Sequence, residues 1–95
     1  MQTIDDALRI VDELLDEAQR SHYSYVAIKA GTVAKLLQAR SGGAHHAMPT
    51  CCHALERRFR RGHDFFRRGK DRKEWHSSIN GDETSTFEVL FEIDR

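Results

Sequence analysis

Residues 48–59, MPTCCHALERRF, have the spacing of an amphipathic helix, and they decide how the rest of the chain can fold around them. Proline suits the first turn of a helix, and the hydroxyl of Thr50 can cap it. At about 100° per residue, one sector of this helix collects Cys51, Cys52, Leu55 and Phe59. The opposite side collects Thr50, His53, Arg57, Arg60 and Arg61. The pattern predicts a helix that ends near Gly62, with an apolar inner face and a basic outer face.

A second, shorter helix is predicted just upstream, from GTVAKLL at residues 31–37. Three of its apolar side chains face inward: Val33, Leu36 and Leu37. Lys35 lies on the outer side, and we expect the helix to end near Ala39. Residues 40–47 contain the pair Gly42-Gly43, which disfavours helical order, so a loop is predicted between the two helices.

The first helix of the chain is predicted close to the N-terminus. Thr3 can cap it, with the carboxylate of Asp6 three residues further on. Apolar side chains then recur at helical spacing: Ile4, Ala7, Leu8, Val11, Leu14, Leu15 and Ala18. Residues 21–24 break this pattern, and residues 25–28, YVAI, form a short β-prone run. This part of the sequence therefore predicts a helix followed by a short strand.

The C-terminal segment changes from a helical period to alternation. In TSTFEVLFEI, residues 84–93, alternate positions place apolar side chains on one face: Phe87, Val89, Phe91 and Ile93. This pattern predicts a half-buried strand. A weaker strand is predicted at residues 74–79. A tight turn at Asn80-Gly81 would join it to the C-terminal strand, which gives an antiparallel hairpin. The alternative is a longer loop, with a partner strand that begins nearer Phe65.

The composition fits one small domain that spans residues 1–95. The chain has 39% hydrophobic and 32% charged residues, and chains this short bury only about 60–65% of the surface that they expose when unfolded. One compact core is possible, and large catalytic architectures such as barrels and doubly wound sheets are excluded. No apolar run approaches the roughly 18 residues of a membrane span, and the acidic N-terminus is unlike a signal peptide. We expect an intracellular, cytoplasmic protein that does not enter a membrane.

The formal net charge of zero conceals a separation of charge along the chain. Residues 29–73 carry twelve basic and three acidic side chains, a formal charge of +9. Residues 1–28 carry −4, and residues 74–95 carry −5. A basic block of this kind is the usual electrostatic signature of a site for polyanions.

Taken together, these segments resemble the winged helix-turn-helix family. The resemblance is carried by GTVAKLL at 31–37, MPTCCHALERRF at 48–59 and FEVLFEI at 87–93, and it covers nearly the whole chain. It implies an α+β fold with three helices, a short strand and a C-terminal antiparallel β-hairpin. The sequence departs from the family at residues 40–47, where the connection is longer than the tight turn typical of such folds.

The resemblance implies a protein that binds double-stranded DNA and regulates transcription or another nucleic-acid-directed process. In that family the third helix lies in the major groove, while the wing and the second helix touch phosphates. The residues that would face the bases are Thr50, His53 and Arg57. Those near the phosphate backbone would be Lys35, Arg60 and Arg61. The base of the hairpin would contribute Arg67, Arg68, Lys70, Arg72 and Lys73. A homodimer is expected, with its seam on the first helix or on the edge of residues 87–93.

Two other kinds of partner remain open at this stage. The basic face could dock an acidic protein, which would make the domain an interaction adaptor. It could equally bind RNA, with Trp75 as a stacking platform, although a tryptophan in a strand more often belongs to the core.

No metal or cofactor is predicted. Cys51, Cys52 and His53 are directly adjacent, as are His45 and His46, whereas zinc ligands are usually about two to four residues apart. The two cysteines fit small core residues instead, and a disulfide between sequence neighbours would be strained.

No enzymatic activity is predicted either. His63 with Asp64, or His76 with Glu74, could suggest acid–base chemistry, but the sequence offers no nucleophile or second positioned group beside them. Gly42-Gly43 lacks the flanking strand and lysine of a phosphate-binding loop.

Overall fold

Three helices and three strands make up the fold, which is seen in a computed structural model that describes residues 4–40, 48–68, 74–77 and 86–93. In chain order they are α1 (Ile4–Arg20), β1 (Tyr25–Lys29), α2 (Ala30–Arg40), α3 (Met48–Arg58), β2 (Phe65–Arg67) and β3 (Glu88–Glu92). The predicted α+β class, with three helices, a short strand after the first helix and antiparallel strands at the C-terminal end, is confirmed. No helix in the described ranges has the length and apolar character needed to cross a bilayer.

The strand that comes last in the sequence lies in the middle of the sheet. The sheet order is β1-β3-β2, and both pairings are antiparallel. Across the sheet, Ile28 pairs with Val89, and Val89 pairs with Phe66. These three side chains are buried on the face that packs against the helices. A homodimer seam on the edge of residues 87–93 is therefore wrong, because β3 has a strand on each side.

The partner strand predicted at residues 74–79 is also wrong, and the alternative near Phe65 is correct. In the described part of that segment, only His76 pairs with β2, through an isolated bridge to Phe66 with N···O distances of 2.7 and 2.9 Å. Phe66 is 3% exposed and its ring packs against those of Phe59 and Phe87. Burial of this aromatic side chain selects the short β2 as the partner of β3. The predicted turn at Asn80-Gly81 lies outside the described residues.

The predicted apolar faces of the helices form the core. On α1 the fully covered side chains are Ala7, Leu8, Ile10, Val11 and Ala18. On α2 they include Val33 and Leu37, and on α3 they are Cys51, Cys52, Ala54 and Leu55. The largest fully buried side chains, Phe87 and Phe91, come from the C-terminal segment. The helices thus form one layer and the sheet the other, with a single core between them. The predicted cap at Thr3 lies outside the described residues.

Helix α3 ends at Arg58, before the predicted end near Gly62. The N–H of Arg60 donates to the carboxylate of Asp64 at 2.6 Å, so the backbone leaves the helical path there. Gly62 follows with a φ of 87°, in the left-handed region that glycine adopts without a steric penalty. A side chain four residues away therefore competes successfully with the continuing helix.

The C-terminus of α1 closes in a Schellman motif. Tyr23 N–H donates to the carbonyl of Ala18, and His22 N–H donates to that of Gln19, both at 3.1 Å. The motif requires a left-handed residue, and His22 supplies it with a φ of 61°. Glycine is the residue best suited to this conformation.

We expect His22→Gly to raise the free energy of unfolding by about 0.5 kcal/mol, because relief of left-handed strain outweighs the added freedom of the unfolded chain. Urea denaturation measures the change. The matched control is Ser21→Gly, one residue earlier, where φ is not positive. That substitution should lower the free energy of unfolding by roughly the same amount, since glycine only adds unfolded-state entropy there. Equal effects of the two variants would contradict the prediction.

Candidate nucleic-acid interface

The outer face of α3 presents His53 and Arg57, which are exposed and one helical turn apart. Thr50, one turn earlier on the same face, is half-buried. The opposite face holds the buried cysteines and Leu55, so core packing fixes the direction of the outer side chains. The three residues predicted to face DNA bases therefore share one side of one helix.

Two further predicted phosphate contacts are exposed cations near this helix in the fold. Lys35 lies on α2, which packs against α3, and Arg61 lies in the turn that follows α3. Within the part of the chain that the structure describes, no carboxylate is within ion-pair distance of Lys35, Arg57 or Arg61. These three side chains are therefore available to an anionic partner.

Four other arginines of the basic block are paired with carboxylates of the same chain. The pairs are Arg40–Glu13, Arg58–Asp12, Arg60–Asp64 and Arg67–Glu88. The Arg58 guanidinium makes two bonds to Asp12, at 2.8 and 3.0 Å, and this hydrogen bonding raises the pKa of Arg58. The hydrogen bond from Arg40 lowers the pKa of Glu13. Three of these carboxylates come from the acidic ends of the chain, so those ends partly neutralise the basic block within one molecule.

Arg60, which the sequence analysis predicts near the phosphates, makes hydrogen bonds within the fold. Its Nη2 donates to Asp64 Oδ1 at 3.2 Å and to the backbone carbonyl of Glu92 at 2.7 Å. Asp64, which is 1% exposed, also accepts the backbone N–H of Glu92 at 2.9 Å. The Arg60–Asp64 pair therefore binds both backbone groups that Glu92 directs toward the β2 side of β3. It extends the pairing of β3 beyond the point where β2 begins.

Two of the cations predicted at the base of the hairpin are described: Arg67 is the last residue of β2, and Arg68 follows it. Arg67 donates to Glu88 at 2.6 Å, and its guanidinium stacks 4.2 Å from the centre of the Trp75 ring. Arg68 is half-buried, with its guanidinium 5.9 Å from the centre of the Phe66 ring. Arg67 covers one face of Trp75, which reduces the room for a base to stack there. Lys70, Arg72 and Lys73 lie outside the described residues.

The two cysteines are buried against the core, and burial raises the pKa of the Cys51 thiol. Among the described residues, no group of three or more His, Cys, Asp or Glu side chains is arranged to hold a metal ion. His45 and His46 lie outside those residues.

Because the thiolate is the reactive form, we expect both native thiols to react with a colorimetric thiol reagent at least about 100-fold more slowly than in denaturant. The control is Ser24→Cys, whose added thiol would be exposed and should react rapidly in the folded protein. A native thiol that reacts as fast as the added one would contradict the buried placement.

The histidine–carboxylate pairs do not line the pockets found on α1. One pocket of about 310 Å³ is lined by Asp12, Leu15, Asp16, Gln19 and Ile93. Another of about 210 Å³ is lined by Asp6, Arg9, Ile10, Leu37 and Arg40. His63 instead lies on the surface, with Nδ1 3.5 Å from Glu92 Oε2, and its neighbour Asp64 is occupied with Arg60. His76 pairs through its backbone with Phe66.

Comparisons with protein-family models, with curated proteins and with solved structures find no match for this chain. The site is therefore defined by its own geometry. Its main feature is a set of exposed side chains on α2, on α3 and in the following turn. We call the three cations among them, Lys35, Arg57 and Arg61, the cationic face, and His53 is exposed one helical turn before Arg57. The sequence analysis named these four residues as candidates, but it missed the structural importance of Asp64. The signal for Asp64 was a lone acid among arginines just after a predicted helix end.

Proposed function

We propose that this chain is a winged helix-turn-helix protein that binds double-stranded DNA through its cationic face and regulates transcription or another nucleic-acid-directed process in the cytoplasm. The observation that carries the proposal is the exposure of Lys35, Arg57 and Arg61 without an ion-pair partner in the described ranges, while arginines next to them in sequence are neutralised. No carboxylate of the described residues is placed to offset the charge of these cations, which suits them to bind phosphates.

The order of elements supports the proposal. Helix, strand, helix, helix and an antiparallel strand pair follow one another as the resemblance implies. The outer face of α3 is exposed at His53 and Arg57. A helix fits the major groove, and an arginine can donate two hydrogen bonds to a guanine edge. In this proposal Arg57 contacts bases, Lys35 and Arg61 contact phosphates, and Arg60 supports the fold.

A fluorescence-anisotropy titration with labelled duplex DNA across a salt series tests the proposal. The logarithm of the binding constant should fall linearly with the logarithm of salt concentration, by about 0.9 for each phosphate neutralised. Parallel titrations use single-stranded RNA and an acidic peptide. Absence of duplex binding at low salt would refute DNA binding. Tighter binding to RNA or to the peptide would indicate the corresponding alternative partner.

We expect Arg61→Ala to reduce the salt slope by about 0.9, because one phosphate contact is lost. Arg57→Ala should weaken binding to a preferred duplex by roughly tenfold, because a base contact is lost. The matched control is Arg20→Ala, an exposed arginine at the end of α1, which should leave both quantities unchanged. If Arg20→Ala has the same effect as the other two, binding depends on total charge and α3 does not read the DNA.

A further inference from the structure

The outer edge of β1 is open along its length in the described part of the chain. The opposite edge of the sheet, on β2, is bridged by His76. On β1, by contrast, no described strand lies outside Tyr25, Ala27 and Lys29, and all three residues are exposed. An open edge of this kind is a template for another strand.

The backbone geometry defines which groups this edge offers. The N–H of Ala30 donates to the backbone carbonyl of Phe87, and the N–H of Ile93 donates to the backbone carbonyl of Ser24. In an antiparallel ladder the hydrogen-bonded pairs alternate, so Val26 and Ile28 direct their backbone groups to β3. Tyr25, Ala27 and Lys29 therefore direct their N–H and C=O groups away from the sheet. Three donors and three acceptors lie in a row along this edge.

The edge also carries the exposed aromatic surface of the fold. Within the described ranges, the large hydrophobic side chains that are exposed are Tyr23, at 62%, and Tyr25, at 49%. Two usual protections of an edge strand, a proline and a bulge, are absent from residues 25–29. Exposed tyrosines beside unpaired backbone groups are typical of a surface that another chain covers.

We propose that β1 pairs antiparallel with β1 of a second copy of this chain, on a two-fold axis through Ala27. In this register Ala27 faces Ala27 of the partner subunit, and Tyr25 faces Lys29 of the partner subunit. All three pairs are hydrogen-bonded pairs, so every outward N–H and C=O of Tyr25, Ala27 and Lys29 finds a partner. Two three-stranded sheets become one six-stranded sheet.

The side chains of β1 are complementary to themselves in this arrangement. On the helix side, half-buried Val26 faces Ile28 of the partner subunit, so the apolar layer continues across the axis. On the outer side, the ammonium of the partner's Lys29 lies beside Tyr25, which pairs with Glu92 within its own sheet. Lysine and tyrosine form a favourable cross-strand pair, and the lysine charge is opposite to that of Glu92. This self-complementarity selects a second copy as the occupant.

Sedimentation experiments without nucleic acid test the dimer, so its failure is distinguishable from failure of DNA binding. The wild-type protein should change from the mass of one chain to that of two chains as concentration rises. Ala27→Lys and Ala27→Glu should each weaken the dimer more than about tenfold, because like charges would meet on the axis. A mixture of the two variants should dimerise again, because opposite charges then meet. Ala39→Lys, at an exposed position on α2, is the matched control and should dimerise like the wild type.

The mixture also shows that the variants are folded, because only folded chains can restore the pairing. A wild-type protein that stays monomeric at every concentration would overturn the proposal. Dimers of Ala27→Lys or Ala27→Glu alone that are as stable as those of the wild type, or a mixture that stays monomeric, would overturn it as well.

Discussion

Asp64→Ala should lower the free energy of unfolding by about 3 kcal/mol, because a buried carboxylate with several hydrogen bonds is removed. Asp64 accepts the backbone N–H of Arg60 at 2.6 Å and that of Glu92 at 2.9 Å, as well as the Arg60 guanidinium. Without it, two backbone donors and one charge lose their partner. Urea denaturation monitored by circular dichroism measures the change.

Two controls separate the role of Asp64 from a general effect of charge. Asp64→Asn keeps one of the two acceptor oxygens, so it should cost about half as much. The remaining loss arises because the amide NH2 of Asn replaces the other oxygen and meets a donor there. Asp12→Ala removes a carboxylate that makes a similar pair with Arg58, but both side chains are more than one-third exposed. It should cost less than about 1 kcal/mol. Equal losses for Asp64→Ala and Asp12→Ala would contradict the proposed extension of the β3 pairing.

The same network decides how an Arg60 variant should be interpreted. Arg60→Ala would leave Asp64 without its charged partner and the Glu92 carbonyl without its donor. Weaker DNA binding in that variant would then follow from lost stability. The exposed residues of the cationic face do not have this ambiguity, which makes Arg57 and Arg61 the better test of DNA contact.

Phe87→Ala should have the largest effect on stability, a loss of about 4 kcal/mol. The Phe87 side chain is fully buried, and its ring lies 6.0 Å from that of Phe66 between centres. Truncation leaves a cavity between the sheet and the helices. A chain of this size has a total stability of about 5–15 kcal/mol, so a substantial share would be lost.

The control for Phe87 is Phe65, which lies on the opposite face of the sheet and is half-buried. Phe65→Ala should cost only about 1 kcal/mol, because the ring is already partly in water. Thermal unfolding of both variants beside the wild type measures the difference. A loss of stability for Phe65→Ala as large as that for Phe87→Ala would contradict the assignment of the core to the face of the sheet that carries Phe87.

The helices could be predicted from the sequence because local periodicity is enough to define an apolar face. The stripe from Ala7 to Ala18 and the inner face of α3 follow directly from spacing, and burial agrees with both. The alternation of residues 87–93 likewise identified the inward side chains of β3. In each case the deciding interaction, burial of one face, appears as a regular pattern in the sequence.

Strand pairing and the end of α3 could not be predicted in the same way. β2 has only three residues, too few to show alternation, and it is selected by the distant contacts of Phe66. Residues 74–79 had the better local pattern, but the buried aromatic anchor, Phe66, belongs to β2. α3 ends early because the backbone N–H of Arg60 donates to the side-chain carboxylate of Asp64. Such bonds depend on the folded arrangement and have no periodic signature.

The sequence named the exposed residues of the candidate site, but it named arginines that are paired within the chain alongside them. The sequence showed that residues 29–73 are basic, yet it could not distinguish cations that form ion pairs within the chain from cations that are exposed to a partner. That division depends on partners far away in the chain, such as Asp12 for Arg58 and Glu88 for Arg67. Arg57 and Arg58 are neighbours with identical chemistry, and only the packing of α1 against α3 gives one of them a partner.

The central position of β3 has a consequence for synthesis on the ribosome. Lys29 pairs with Glu88, and Phe65 pairs with Leu90, so in the described part of the chain β1 has no strand partner, and β2 has only its bridge to His76, until β3 has been made. The three helices can form and collapse earlier from local contacts, whereas the sheet needs the most distant pairings in the chain. During translation the edges of β1 and β2 that β3 covers therefore remain unpaired, and the nascent chain is most exposed to aggregation just before β3 emerges.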